Sequence, residues 1–215
     1  MNRMLFGATV CLVFLAGCRN MMGVRGSGIE KTETREVAAF EEIELRGAGT
    51  MDVVVGSSDP LTITTDDNLL PLIDTRVEDG LLVIAPSESI NPQTPPVISL
   101  GAPRLVRIRV SGAATLNVID VRGGEFTVDV SGAARVVAKG QVETFTLELS
   151  GAGEVDATEL AAQRVVANLS GVGGADVHAV KSLKATISGL GVIRYQGDPA
   201  VEKEISGAGA IKRLE

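Results

Sequence analysis

Residues 125–149 read EFTVDVSGAARVVAKGQVETFTLEL, and their reading decides the fold. Phe126, Val128 and Val130 alternate with Thr127 and Asp129, a small Ser131-Gly132-Ala133 corner follows, and Val136 resumes the apolar phase. Strict alternation marks a strand with one buried and one wet face. The unit then starts again and runs through Phe145, Leu147 and Leu149 into Ser150-Gly151-Ala152.

Working outward, Ser-Gly-aliphatic begins at Ser111, Ser131, Ser150, Ser170, Ser188 and Ser206, with spacings of 20, 19, 20, 18 and 18. Arg46-Gly47-Ala48-Gly49 is a seventh copy without the Ser. Aligned on this point, the preceding residue is always aliphatic: Leu45, Val110, Val130, Leu149, Leu169, Ile187 and Ile205. Five places beyond it stand Met51, Leu116, Val136, Val155, Ala175, Ile193 and Ile211, again all apolar. Each repeat is therefore a strand, a Gly corner, a second strand and a return turn.

A unit with one apolar side cannot stand alone; stacking copies in parallel buries a continuous core. Gly-rich corners suit such a stack, because Gly accepts positive φ and lets successive corners approach at about 4.8 Å. The expected fold is all-β: a single-domain parallel β-helix (β-solenoid) of about 18–20 residues per coil. An antiparallel sandwich of hairpins would call for Asn-Gly or Asp-Gly at the corners, and neither occurs there. Residues 104–215 supply six regular repeats, and residues 36–103 are expected to add about three irregular coils. Seven of the eight Pro precede Arg104. The Pro-rich stretch 86–96 cannot be a central strand and is expected to project as a loop. The last repeat has no obvious cap, so its open edge invites pairing with a second copy, with Lys212, Arg213 and Glu215 as charged blockers.

Composition narrows the function. The chain has 215 residues, a net charge of −7, 45% hydrophobic residues, 3% aromatics and no Trp. That apolar content exceeds what a disordered chain carries. An acidic, aromatic-poor surface lacks the phosphate-neutralising stripe and stacking platforms of a nucleic-acid binder, so no nucleic-acid partner is expected.

The N-terminus reads as an address. Arg3 is followed by an almost uninterrupted apolar run from Met4 to Phe14, too short to span a bilayer as a helix and fitting a secretory signal. Leu15-Ala16-Gly17-Cys18 resembles the lipobox of bacterial lipoproteins. The resemblance implies a signal peptide over 1–17, acylation of Cys18 as the first mature residue, and attachment to a membrane through this lipid anchor. Arg19 takes the place of the Asp that retains such proteins at the inner membrane, which points to the outer membrane in a Gram-negative host. Residues 18–35 are polar and Gly-rich and read as the lipidated Cys and a flexible tether. Cys11 would leave with the signal peptide, so no disulfide is expected.

The pattern Phe40-Glu-Glu-Ile-Glu-Leu-Arg-Gly-Ala-Gly49, then Val77-Glu-Asp-Gly-Leu-Leu-Val-Ile84, then the repeated Ser-Gly corners, resembles a bacterial cell-envelope family, the "putative auto-transporter adhesin" head domain, across about residues 36–215. The resemblance implies a right-handed parallel β-helix in secreted or lipid-anchored envelope proteins, and it does not imply a catalytic site.

The residues carry little that reads as chemistry. Six copies of a nucleophilic Ser make no chemical sense with a single His in the chain, so the Ser column is expected to be a hydroxyl ladder satisfying corner backbone groups. His178 and Asp176 share a face but fall short of a metal site, which needs three or four ligands; no metal and no cofactor are expected, and an ion bridging Asp156 and Asp176 is a minor alternative. The best candidate surface is the flat polar sheet face carrying Arg107, Arg109, Asp129 and Glu148, where pairing of opposite charges also explains the residues. The chain thus reads as a non-enzymatic envelope lipoprotein, an adhesin-like or scaffolding solenoid whose partner is an unidentified envelope protein or polysaccharide. Alternatives are an envelope polysaccharide-binding protein and, more remotely, a β-helix glycan-active enzyme.

Overall fold

A computed structural model describes residues 23–214, and the described residues contain no α-helix. Its strands are β1 (Val24–Arg25), β2 (Glu30–Arg35), β3 (Glu42–Leu45), β4 (Ala48–Val55), β5 (Leu61–Asp66), β6 (Ile73–Glu78), β7 (Leu81–Pro86), β8 (Ile90–Asn91) and β9 (Val97–Ala102). They continue as β10 (Arg107–Val110), β11 (Ala113–Val130), β12 (Ala133–Leu149), β13 (Ala152–Leu169), β14 (Val172–Ile187), β15 (Leu190–Gln196), β16 (Ala200–Ile205) and β17 (Ala208–Arg213). A single 3-10 turn, Leu70–Leu72, joins β5 to β6.

From β10 onward the chain winds as a parallel β-solenoid with two sheet faces. The strand before each corner lies on one face and the strand after it on the other, and the long strands β11 to β14 run from the second face of one coil to the first face of the next. The registers pair equivalent repeat positions, for example Phe126 with Phe145 and Ala133 with Ala152. Register shifts after Val118, Val137 and Ala157 absorb the change of coil length between 18 and 20 residues. The repeats therefore stack in parallel with the inward columns that the sequence predicts.

The columns pack as the alternation requires. Val128, Val130, Leu147, Leu149, Val136 and Val155 are all buried, and Phe126 stacks on Phe145 with centroids 6.1 Å apart at 17°. Those two rings are the largest fully buried side chains; Phe40 and Met51 join them in a core otherwise built from aliphatics and Ala.

At the corners the structure refines the reason for Gly. A Cβ on Gly112 would lie 1.6 Å from the carbonyl oxygen of Gly47, and one on Gly151 1.9 Å from that of Gly132. Close approach of successive backbones, not positive φ, is what these positions demand. The Ser hydroxyls contribute less than expected. Only Ser131 and Ser150 reach a carbonyl, at 3.3 and 3.4 Å, whereas their backbone N–H groups bond the same oxygens at 2.9 Å. Bonds that long are weak, so the corner is held by its main chain.

The expectation of about three coils from residues 36–103 is corrected. This segment forms two levels of the stack in reversed order. β10 lies on β3, β3 lies on β7, β11 lies on β4, and β4 lies on β9. The seventh copy thus sits directly under the first Ser-Gly corner, which comes 65 residues later in the chain, with Leu45 against Val110 and Ala48 against Ala113. The rest of the segment becomes a cap. β6 returns antiparallel to β7 through Asp79 and Gly80, both at positive φ, and β5 runs antiparallel to β9. An Asp-Gly pair is the turn such a hairpin favours. Reversal closes this end because it removes the parallel template on which another coil would add.

The tether reading of residues 18–35 is corrected where the structure describes them. β2 pairs antiparallel with β5, and β1 pairs parallel with β8 inside the Pro-rich stretch, which is otherwise loop. β2 escapes recognition because nothing covers its outer side, so Glu30-Lys31-Thr32-Glu33-Thr34-Arg35 alternates only weakly between exposed and half-buried. A clasp of side chains fixes the segment. Asp66, fully buried, accepts from the backbone N–H of Gly28 at 2.7 Å, Gln93 at 2.8 Å and Thr94 at 3.0 Å. Asn68 accepts from Ser27 N–H at 2.8 Å and donates to the Arg25 carbonyl at 2.9 Å.

Burial pushes the Asp66 carboxyl up, but the amides of Thr94, Gly28 and Gln93 outweigh it and hold it below its ordinary value of 3.8. A carboxylate whose pKa is lower folded than unfolded stabilises the fold above the unfolded value and loses that contribution as pH falls through the folded one. Hydrogen-exchange protection of the Gly28 amide should therefore persist at pH 5 and disappear below pH 3.8, before the stacked coils open. Retention of that protection through the acid limb would show that the carboxylate does not hold the clasp.

The opposite end, β16 and β17, is open. The expected blockers Lys212 and Arg213 are exposed, and Arg213 lies 3.6 Å from Asp198; Glu215 lies outside the described residues. The blocker that points into the end of the core is Lys203, in register with buried Ala185. Its Nζ donates to the Ile211 carbonyl at 3.0 Å and sits 5.4 Å from the centroid of the Tyr195 ring. An inward charge on an edge strand opposes edge-to-edge pairing. Lys203→Leu should give concentration-dependent association in sedimentation velocity; a variant that stays as monodisperse as the parent would remove this role.

Candidate partner-binding face

The face before the corners presents two wet columns. One runs Glu44, Arg109, Asp129, Glu148, Asn168, Thr186 and Glu204 in register. The neighbouring column runs Glu42, Arg107, Thr127, Thr146, Val166, Lys184 and Glu202. The structure therefore brings the four candidates together, with Arg109, Asp129 and Glu148 in one ladder and Arg107 beside it. All four are half-buried along the ladder.

Their charge pairing differs from the simple cross-strand picture. Arg109 makes its ion pair diagonally with Glu42, 2.9 Å from Nη2 to Oε2. Glu148 accepts from Asn168 Nδ2 at 2.8 Å. Glu44 is bound bidentately by Arg46 at 2.7 and 2.9 Å. That hydrogen bond holds the Glu44 carboxyl below the usual carboxylate range against burial, with the charges of Arg46, Arg109 and Arg76 adding to it. Glu42 and Glu44 belong to the surface and were not singled out from the sequence. The seventh repeat puts them in wet columns, but only the reversed stacking of β3 under β10 sets them beside Arg109.

The face after the corners is more fully self-paired. Asp52 accepts from Asn117 at 2.7 Å, and Asp176 is gripped by Arg194 at 2.5 and 2.6 Å. Asp156 accepts from the Thr158 hydroxyl at 2.6 Å and its N–H at 3.1 Å, which together lower its pKa against burial. Asp156 and Asp176 are neighbours in register, yet each carboxylate is already engaged. His178 is half-buried on the same face as Asp176. Among the described residues no group of three or more His, Cys, Asp or Glu is placed to hold a metal ion. A cleft of about 520 Å³ opens at the capped end between Val37, Phe40, Pro60, Leu100 and Pro103, with an Arg104–Glu41 ion pair at its rim. Its walls come from loops far apart in sequence, and no motif marks them.

Cys18 and the expected signal peptide over 1–17 lie outside the described residues. No described helix is long and apolar enough to cross a membrane.

Coils stacked in parallel register define a protein of the β-solenoid class. The family model described as "Putative auto-transporter adhesin, head GIN domain" matches residues 39–199, and the chain belongs to that family. No curated protein matches the chain. Among solved structures it is similar to a putative adhesin from Bacteroides fragilis, with 23% identity over 89% of this chain and 100% of that one, and a TM-score of 0.67. A putative adhesin from Parabacteroides merdae follows at 22% identity over 90% and 99%, TM-score 0.56. A putative lipid binding protein from Parabacteroides distasonis shares 20% identity over 89% and 99%, TM-score 0.57. At these identities the likeness shows the fold. The family and these neighbours carry the names of adhesins and binding proteins rather than of enzymes.

Proposed function

We propose that the chain is a lipid-anchored envelope protein, acylated at Cys18 and held at the outer membrane, that works without catalysis as an adhesin-like contact module. The ladder face of Arg107, Arg109, Asp129 and Glu148 is its binding surface, and an envelope polymer or protein of complementary mixed charge is its partner. The observation that carries this reading is the face itself. Seven levels deep on one column, it offers charged and hydroxyl groups in regular register, with no enclosing wall and only partial internal pairing. Such a surface suits an extended repeating partner, because a repeat every about 4.8 Å presents many equivalent weak contacts. The family's description and the adhesin names of its neighbours support the same reading.

The test is the combined variant Arg107→Ala, Asp129→Ala and Glu148→Ala. These half-buried side chains sit outside the core, so circular dichroism and melting should change little, surface changes being usually within about 0.5 kcal/mol each. Binding of the purified domain to outer-membrane fractions should be lost. Undiminished binding by the folded variant would remove the face from consideration.

A further inference from the structure

We infer that the rod is held against the bilayer by its capped end, because the clasp at Asp66 takes up the chain that would otherwise be a long tether; this rests on the reading of Cys18 as lipidated. The clasp is densely made. Besides the three amides on Asp66, Ser27 Oγ donates to Asp67 at 2.5 Å, Gln93 Nε2 donates to the Gly26 carbonyl at 2.6 Å, and Gly26 and Val24 N–H bond the Asn91 and Ser89 carbonyls at 2.9 and 2.8 Å. Gly26 is required by the fit, since a Cβ there would lie 2.1 Å from Asp66 Oδ2. The chain is thus fixed to the body of the protein from Val24 onward.

The consequence is one of reach. A chain extends at most about 3.6 Å per residue. If residues 18–35 were free, the first coil could stand about 60 Å from the anchor, farther than the stack is deep, and the rod would turn without restraint. With the clasp closed, five residue steps separate Cys18 from Gly23, so the capped end stays within about 18 Å of the anchoring residue. The open end, with β16 and β17, lies at the far side of a stack of strands about 4.8 Å apart. Near the chain's exit Ile29 is 63% exposed, in a segment whose exposed charges are Arg25, Glu30 and Lys31. Anchoring at the cap leaves the ladder face clear of the bilayer, as a contact module needs.

The experiment uses the full-length lipoprotein in vesicles of phosphatidylethanolamine and phosphatidylglycerol carrying a headgroup energy acceptor. Single cysteines replace Glu88, beside the clasp, or Glu204, on the open end, and carry the donor; acylation blocks Cys18. The expected result is energy transfer several-fold stronger from position 88 than from 204, with the difference collapsing in Asp66→Asn combined with Asn68→Ala. Loss of Gly28 amide protection in that variant, with the protection of β12 and β13 retained, shows that only the clasp has opened. Equal transfer from both positions, or a difference that survives opening of the clasp, overturns the inference while leaving lipidation intact. Failure of the wild-type protein to float with the vesicles overturns both, and identifies the anchor as the part that failed.

Discussion

Gly112→Ala is expected to be the most damaging single methyl group in this protein. Its Cβ would fall 1.6 Å from the Gly47 carbonyl oxygen and 2.5 Å from Gly47 N, both backbone atoms that no rotamer change can move. Relief requires the coil of β10 and β11 to separate from that of β3 and β4, which breaks bonds such as the 2.8 Å link from Ala113 N to the Gly47 carbonyl. Overpacking a tight site costs about 1–3 kcal/mol and more where the backbone must yield. We expect at least about 3 kcal/mol, a fall in melting temperature of about 6–12 °C at this chain length. The same substitution at Gly123 or Gly124, where an added Cβ meets nothing within 4 Å, separates steric conflict from loss of glycine itself. Gly124 is the better control, since Gly123 has φ near +141°. A stable Gly112→Ala beside an equally stable Gly124→Ala would contradict the stacking of residue 112 on residue 47.

Phe145→Ala is the second large effect. Phe145 is fully buried, stacks on Phe126, and lies in the middle of the parallel ladder of β11, β12 and β13. Its removal leaves a cavity that flanking coils cannot fill without shifting register, because each is hydrogen-bonded on both sides. Truncations of this kind cost about 3–5 kcal/mol. In a solenoid, stability is carried by neighbour-to-neighbour interfaces, so the loss should appear first as faster exchange in the adjoining coils. Chemical denaturation of Phe145→Ala against Phe145→Leu measures it; a loss below about 1 kcal/mol would mean that the ring is not part of a close-packed interior.

These variants also show which parts of the structure the sequence made legible. Phe126, Phe145, Leu147, Leu149 and Val155 alternate with polar residues over enough repeats that strand, face and inward columns followed from period alone. The corner glycines followed from their spacing. The order of stacking did not, because β3 and β7 both put aliphatic residues inward, Ile43 and Leu45 against Leu82 and Ile84, and nothing local states which of them lies under β10. That choice depends on the Asp79-Gly80 hairpin, which turns β6 back onto β7 and makes β7 the outer level of the stack. The clasp was hidden for a related reason. Asp66 looks like an ordinary polar residue at the end of a strand until Gly28, Gln93 and Thr94, from two distant segments, converge on its carboxylate. Of the candidate face, Arg107, Arg109, Asp129 and Glu148 were readable because they recur at wet positions of regular repeats. Glu42 and Glu44 join them only through the reversed order. Lys203 stands three places before its corner, where the other repeats carry Ile43, Ile108, Val128, Leu147, Ala167 and Ala185, and this charge has a role there because β16 is the last strand of its face.

Under the proposed function, this solenoid is an envelope-anchored contact module displayed outward. The measurement that tests it most directly is antibody access to an epitope tag placed after Glu215, on intact host cells and on cells with a permeabilised outer membrane. The account predicts full labelling of intact cells, lost when Cys18 is replaced by Ser. Labelling that appears only after permeabilisation would contradict outward display and leave the ladder face turned to a partner within the periplasm.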